Sequence, residues 1–398
     1  MTDVDILISG GGVAGLTAAA VFGSAGFSVI CVDPSPPVTA RDAEGADLRS
    51  TAFLQPARIL LEEAGLWARL ADHAAPLEIM RIVDAGGDLA APRSVRDFEA
   101  SELSDAPFGW NLPNWLLRRE MTAHLDSLSS VEFRPGTGTA ELLTRESEAR
   151  VRLSDGSAVL ARLVIAADGR GSPMREAAGI ATKVTRYGQK ALAFAVSHPI
   201  PHGNVSTEIH RTGGPFTLVP LPDFEGMPSS AVVWMERGPE ALRLAALETP
   251  AFEAEMSERS CHLFGPLTLA SRRTVWPIIS QVAARMAAER VALVAEAAHV
   301  VPPIGAQGLN MSLGDMRVLR DLAVASPDTL GDVAMLDAYH RKRHGEVRAR
   351  VAGIDLLNRT SMARARPLRD ARALGLNAIH AFAPVRKTLM QLGLGMRR

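Results

Sequence analysis

The chain has 398 residues, with 43 Lys and Arg against 44 Asp and Glu and 47% hydrophobic side chains. That length exceeds one ordinary core and predicts about two domains of a soluble globular protein. Two cysteines exclude a disulfide framework and a cysteine-built metal centre, so a reducing, cytoplasmic setting is expected, with Cys31 in an apolar strand and Cys261 on a helix as small core residues.

The first expected element is a strand from Val4 to Ser9, and no secretory leader is expected before it. Gly10-Gly11-Gly12-Val13-Ala14-Gly15 follows, then a helix over Leu16 to Ala25 and a strand over Phe27 to Val32, closed by Asp33. These are the parts of a dinucleotide-binding unit, in order. Gly10 permits the tight turn, Gly12 lets backbone approach a pyrophosphate, and Gly15 lets helix pack on strand. Asp33, 18 residues after Gly15, is placed to accept hydrogen bonds from a ribose. Ile6 to Val32 is uncharged and long enough for a membrane span, but its six glycines break it into strand, turn, helix and strand.

Farther along, Leu163 to Ala167 reads as a strand ending in the turn Asp168-Gly169. Alternating runs at Leu192 to Val196, Thr207 to His210, Phe216 to Leu221 and Ala231 to Met235 predict a largely antiparallel sheet. Arg290 to Ala295 predicts a strand ending at the acid Glu296. The chain then turns through Pro302 and Pro303, and after Gln307 the segment Gly308-Leu309-Asn310 opens a helix with Leu309, Leu313, Met316 and Leu319 at apolar spacing. Such a helix start carries free N–H groups and partial positive charge that suit an anion. From Arg341 to Arg398 fourteen Lys or Arg stand against three acids, about +11, which leaves roughly −12 on the rest. Leu368, Ala371, Leu374, Ile379, Phe382, Val385 and Leu389 recur there at helical spacing, with Arg369, Arg372, Arg386 and Lys387 between them. That pattern fits a basic amphipathic helix on anionic lipid or a helix pair packed on the body. One aromatic, Phe382, and no recognised binding module argue against nucleic acid.

The glycine loop near residue 10, the Asp168-Gly169 turn and the loop Ala295-Glu296-Ala297-Ala298-His299 together resemble the three signatures of the single-component FAD-dependent aromatic hydroxylases, the p-hydroxybenzoate hydroxylase-like group. The resemblance covers nearly the whole chain. Three more segments are similar to the narrower branch that hydroxylates polyprenylated phenols in ubiquinone biosynthesis (UbiH/UbiF-like). They are Arg49-Ser50-Thr51-Ala52-Phe53 leading to Ala64-Gly65-Leu66-Trp67, then Tyr187-Gly188-Gln189-Lys190-Ala191, and the run from Pro384 to Met390 ending in Gly393-Leu394-Gly395. Because the three signatures must meet at one cofactor, the expected architecture is α/β. A Rossmann-like FAD-binding domain (1–72, 112–180, 285–330) is interleaved with a smaller substrate domain on a largely antiparallel sheet (73–111, 181–284). A basic helical region (331–398) follows.

The resemblance implies bound FAD, NAD(P)H as transient reductant, and O2 activated as a flavin hydroperoxide that an electron-rich ring attacks. It places Gly10, Gly12, Val13, Ala14, Gly15, Asp33, Asp168 and Gly169 at FAD, Arg49 on the flavin side and Arg118 at the diphosphate. Glu296 would meet the ribityl hydroxyl, Pro302 and Pro303 the reacting face of the flavin, and Gln307, Gly308, Leu309 and Asn310 the reduced flavin's negative charge. One departure stands out: Ala295-Glu296 occupies the family's Gly-Asp. His299 is expected to be structural. Only Tyr187 and Tyr339 are available for a phenol relay, and Arg211 is the one obvious arginine for a substrate carboxylate in the antiparallel sheet, so an apolar prenylated phenol is the favoured substrate. The alternatives are another FAD oxidoreductase (an aromatic-acid hydroxylase or a prenyl-chain reductase) and a non-catalytic FAD-binding scaffold. Expected partners are the phenol and, through the basic C-terminal region, an anionic membrane surface on its inner face or a ubiquinone-biosynthesis complex.

Overall fold

The computed structural model describes residues 2–87, 89–362 and 365–395. The apolar runs Ile6 to Ile8, Val29 to Val32 and Leu163 to Ala166 are buried on both faces and pair in parallel, as continuous Ile/Val/Leu runs do. Thr2–Ser9 lies between Val29–Asp33 and Ala158–Ala166; Val131–Pro135 extends this sheet on one side and Val291–Leu293 on the other, all parallel. The helix Val13–Ser24 is apolar all round and buried from Gly15 to Gly23, packed against the helix Asn114–Leu125.

A second sheet runs in the order 299–300, 274–283, 182–197, 227–237, 215–224, 205–210, 79–84, 94–99. Every pair in it is antiparallel except 205–210 with 79–84. One face buries Phe194, Phe216, Leu218 and Trp234 against Phe252 and Met256 of the helix Thr249–Arg259. The other carries Ala191, Met235 and Ile278, which pack against Ile304 from the turn after the two prolines. A small third sheet joins Ser50–Leu54, Gly109–Pro113 and Ala75–Leu77.

Three expectations change. The strand expected over Arg290 to Ala295 spans only Val291–Leu293, because Ala295 takes φ +55° and turns the chain into a single helical turn, Ala295–Ala298. Glu296 therefore stands on that turn, not at a strand end. Cys261 lies past the end of the helix Thr249–Arg259 at φ +54°, half-buried, while Cys31 is fully buried in its strand.

The C-terminal row also splits. After the long helix Val333–Ser361 the chain forms a hairpin of two helices, Arg366–Ala381 and Ala383–Leu394. Met390 and Leu394 pack inward with Leu54, Phe98 and Phe108, and Ile379 packs against that cluster. Leu374, Phe382, Val385, Leu389 and Leu392 face outward, and Arg386 is held by Glu102 at 2.7 Å. The side chains of Leu368 and Arg372 lie outside the described residues. Among the described residues no helix is long and apolar enough to cross a membrane.

Candidate active site

Three backbone hydrogen bonds show where the signature loops leave the parallel sheet. Gly10 N–H donates to Val32 O at 2.8 Å, Ala167 N–H to Ser9 O at 2.8 Å, and Val294 N–H to Ala166 O at 3.0 Å. The loops beginning at 10, 167 and 294 thus emerge side by side from the carboxyl ends of adjacent parallel strands, the edge at which open α/β sheets bind ligands.

Within the glycine loop the positions divide by what a Cβ would meet. At Gly15 it would lie 1.7 Å from Gly10 O, and at Gly10, with φ +106°, 2.4 Å from Ala167 O, so both glycines are required by the fold itself. At Gly11 it would press on the Asp33 Cβ at 2.8 Å, a constraint the spacing alone does not reveal. At Gly12 it would meet nothing within 4 Å. Gly12 is also the N-cap of the helix Val13–Ser24, which has no side-chain cap and no acid in its first turn, so its N–H groups face that open space uncompensated. Asp33 accepts from Gly11 N–H at 2.6 Å and Ser35 N–H at 2.8 Å, and a carboxylate retains further acceptor sites beyond these two. Thr17 Oγ1 meets Met121 Sδ at 3.7 Å, a contact between the helices Val13–Ser24 and Asn114–Leu125, and Arg118 lies about one turn before Met121 on the second of them. Arg118 Nε is buried without a hydrogen-bond partner.

Asp168 accepts from Met174 N–H at 3.1 Å and Ser9 Oγ at 3.4 Å through Oδ2, while its buried Oδ1 has no partner. Burial pushes this carboxyl above its ordinary pKa. Gly169 supplies the left-handed turn at φ +83°. Buried Arg175 then donates to Arg170 O and Ala297 O, tying the Asp-Gly turn to the turn that carries Glu296.

Glu296 is exposed on that turn, and its charge reaches Arg49. Asp47 holds Arg49 in a two-pronged ion pair at 2.6 and 2.8 Å, which raises the guanidinium pKa, and Arg49 sits 5.6 Å from the Trp276 ring centre. Asn114 in turn donates to Asp47 at 3.0 Å. Ala295 occupies the left-handed region where glycine is favoured, so the methyl at this position is a conformational cost.

The loop after His299 differs from a simple strand-to-helix turn. The Pro302 carbonyl accepts from Ile304 N–H at 2.8 Å; Gly305 and Ala306 both have positive φ, and the helix Gln307–Ala325 starts with no side-chain cap. Two side chains of its first turn are committed elsewhere. Gln307 Nε2 donates to Gly305 O and Gly393 O at 2.8 and 2.9 Å. Asn310 Oδ1 accepts from Leu54 N–H at 2.9 Å and its amide donates to Ala52 O at 2.7 Å, stapling the small sheet to the helix. What Gln307, Gly308, Leu309 and Asn310 have left for a ligand is backbone. His299 Nε2 lies 2.6 Å from Asp315 Oδ2, both side chains fully buried, as a structural histidine would.

Neither tyrosine is placed as a relay. Tyr187 donates to Asp355 at 2.6 Å and burial, with Asp355, pushes its pKa up to about 12; Tyr339 is buried and donates to Leu293 O. Arg211 pairs with Glu258 of the helix Thr249–Arg259, across the second sheet from Ile304. Among the described residues no cluster could hold a metal ion.

An uncapped helix start beside a position open to a side chain and an unpartnered aspartate oxygen, both at one edge of the parallel sheet, together with an unpartnered buried arginine donor on the packed helix Asn114–Leu125, suit a long anionic dinucleotide. A sequence profile of the FAD binding domain family matches residues 3–353. The chain belongs to that family. Its cofactor is FAD, and it is an FAD-dependent monooxygenase. The ubiquinone hydroxylase UbiL of Rhodospirillum rubrum is 32% identical over 394 residues, 98% of this chain and 89% of the relative. The 3-demethoxyubiquinol 3-hydroxylase of Escherichia coli is 24% identical over 98% of each chain. The p-nitrophenol 4-monooxygenase PnpA of Pseudomonas putida shares the fold at TM-score 0.80 over the full length of both chains, with 20% identity. Two residues to which the sequence assigned no individual role hold neighbouring parts in place. Asp47 orients Arg49 from two positions before it, a spacing that was legible. Gln189, in the Tyr-Gly-Gln segment, donates to Gly213 O and accepts from Asn358, so it fixes the long helix to the second sheet, which no local pattern reveals.

Proposed function

We propose that this monooxygenase hydroxylates the aromatic ring of a polyprenylated phenol in ubiquinone biosynthesis, with NAD(P)H as reductant and O2 as co-substrate. The observation that carries the reading is the apolar wall facing the Pro302-Pro303 loop: Ala191, Met235, Ile278 and Ile304, with Val233 and Trp276 beside them. A benzoate would need a bidentate arginine there, and the candidate, Arg211, is engaged with Glu258.

The FAD domain is the parallel sheet with its loops, drawn from 1–72, 112–180 and 285–330. The substrate domain is the antiparallel sheet, from 73–111 and 181–284, to which His299–Val300 also contributes. The flavin supplies the oxidising chemistry. Amides at Gly12, Val13 and Ala14, with Arg118, hold the diphosphate; Gly10 and Gly15 shape the loop, and Asp33 takes the ribose. Asp168-Gly169 and Arg49 flank the cofactor. Amides of Gln307 to Asn310 balance negative charge at the ring. Pro302 and Pro303 keep water from the reacting face and offer a backbone carbonyl to the phenol hydroxyl. Glu296 accepts from a ribityl hydroxyl. If so, Glu296→Ala weakens FAD binding by about 1.5–3 kcal/mol, the value of one hydrogen bond to a charged group. Glu296→Asp with Ala295→Gly keeps the affinity and, by removing a left-handed alanine, raises stability by about 1 kcal/mol. Titration of FAD into the three apoproteins decides it, and equal affinities would remove Glu296 from the site.

A substrate of this kind resides in the bilayer, and the outward row of Phe382, at the N-cap of the last helix, with Val385, Leu389 and Leu392 along it and exposed Lys387, is the face that meets it. Its companion is anionic lipid, to which the net positive charge of the C-terminal region is complementary. Turnover of a long-chain prenylphenol in anionic vesicles, read as NAD(P)H consumption with a hydroxylated product, tests both statements. Phe382→Ser with Leu389→Ser removes ~3 kcal/mol of apolar burial, on the order of a hundredfold in vesicle affinity. FAD content and activity on a short-chain phenol should stay at the parent level. No hydroxylated prenylphenol from the parent enzyme refutes the substrate; parent-like vesicle binding by the variant refutes the docking face.

A further inference from the structure

The loop that faces the flavin is held at both ends by one unbroken run of hydrogen bonds. At its entry, His299 Nε2 lies 2.6 Å from Asp315 Oδ2. Asp315 Oδ1 accepts from Arg343 Nε at 2.7 Å, and Arg343 NH1 donates to Glu346 Oε2 at 2.8 Å. Glu346 Oε1 accepts from Arg350 Nε at 3.3 Å, and Arg350 NH1 donates to Gln307 Oε1 at 2.9 Å. Gln307 is the loop's exit and the first residue of the flavin-facing helix, and its Nε2 donates onward to Gly393 O near the end of the last helix.

A second, apolar route runs parallel to the first. Met390 and Leu394 of the last helix pack with Leu54, whose N–H is held by Asn310 Oδ1. The end of the last helix and the start of the flavin-facing helix are therefore joined twice, by amide-to-carbonyl bonding and by packing. Gln307 is the weak point of the polar route. An unbranched amide with two rotatable bonds beyond Cβ keeps one orientation only if both of its ends are fixed. Gly305 O and Gly393 O fix the Nε2 end, and Arg350 fixes the Oε1 end. Arg350 has the reach to do this because its guanidinium fork spans Glu346 and Gln307 at once.

We propose that Arg350 is a positioning residue for the flavin: acting through Gln307, it holds the first turn of the flavin-facing helix against the last helix, so that the C-terminal hairpin is a working part of the cofactor site. This rests on the reading that the 299–310 loop faces FAD, and it is independent of which phenol is hydroxylated. The hairpin accordingly does more than offer an outer surface. Its inner end sets where the backbone amides of Gln307 to Asn310 point, and those amides are what the turn has left to meet the ring.

The test is Arg350→Met, which keeps the aliphatic stem of a side chain that is 24% exposed and removes both polar ties. Hydrogen exchange on the FAD-bound protein should show the amides of 305–310 opening about tenfold more often, and the FAD dissociation constant should rise about tenfold, the factor that loss of one charge-assisted hydrogen bond gives. Arg350→Lys, with a single point charge in place of a fork, should fall between parent and Met. Arg359→Met removes an ion pair of the same spacing on the same helix, to Asp355, and should behave as the parent in both measurements. Parent-like exchange and FAD affinity in Arg350→Met would overturn the proposal. So would faster exchange spread evenly over the chain, which would make Arg350 a general stabiliser. A parent protein that takes up no FAD would instead overturn the FAD reading itself, a different and separately visible failure.

Discussion

Gly12→Val should purify as a folded, colourless protein. A Cβ at this position meets nothing within 4 Å, so a side chain starts from open space and the fold is expected to form. The branched group would stand over the uncapped start of the helix Val13–Ser24, where the proposed binding mode puts the FAD diphosphate. Losing two charge-assisted hydrogen bonds costs roughly 3–6 kcal/mol, a hundredfold to more than ten-thousandfold in affinity, enough to empty the site at ordinary protein concentrations. The control sits three residues on. Gly15→Val puts a Cβ 1.7 Å from Gly10 O and should lower the melting temperature of the apoprotein sharply, whereas Gly12→Val should leave it within a few degrees of the parent. Flavin absorbance per protein and apoprotein melting are thus expected to separate cleanly between two glycines of one motif. A Gly12→Val protein that retains full flavin would reduce the motif to a tight turn.

The contrast between those glycines also marks how far the sequence could be read. Spacing at Gly10 and Gly15 encodes backbone approach within a few residues, so the tight turn and the close packing of helix on strand were legible, as was the strand alternation of the second sheet. What stayed hidden is contact across long separations. Asp315 and Arg343 are 28 residues apart on different helices, and nothing in either local pattern marks them as partners. Arg386 reads as a free surface cation until the fold brings Glu102 to it from 284 residues away. Gln307 and Asn310 were legible as members of the turn that opens the helix Gln307–Ala325, but the direction of their side chains depends on Gly393 and Leu54, which only the tertiary fold supplies. The single amphipathic row of the tail breaks for a local reason: the helix stops at Phe382, so Ile379 packs inward while Leu389 faces out.

Asp315→Ala should be among the most destabilising substitutions in the chain. Asp315 is fully buried, and its two oxygens are taken by His299 and Arg343. The Arg343 guanidinium, only 5% exposed, would then keep Glu346 alone as its counter-charge. Leaving a buried charge without its main partner costs about 3–5 kcal/mol. Asp315→Asn keeps an acceptor for one neighbour and should cost less. Removing both members, Asp315→Ala with Arg343→Met, deletes the stranded charge and should recover a part of the loss, so the pair should be non-additive by 1 kcal/mol or more, roughly the coupling expected of contacting residues. Denaturant midpoints of the parent, Asp315→Ala, Asp315→Asn, Arg343→Met and the double variant, all as apoproteins, measure all of this without reference to flavin. A loss under ~1 kcal/mol in Asp315→Ala, or strict additivity in the double variant, would show that water reaches Arg343 and that the buried ion pair does not hold the loop.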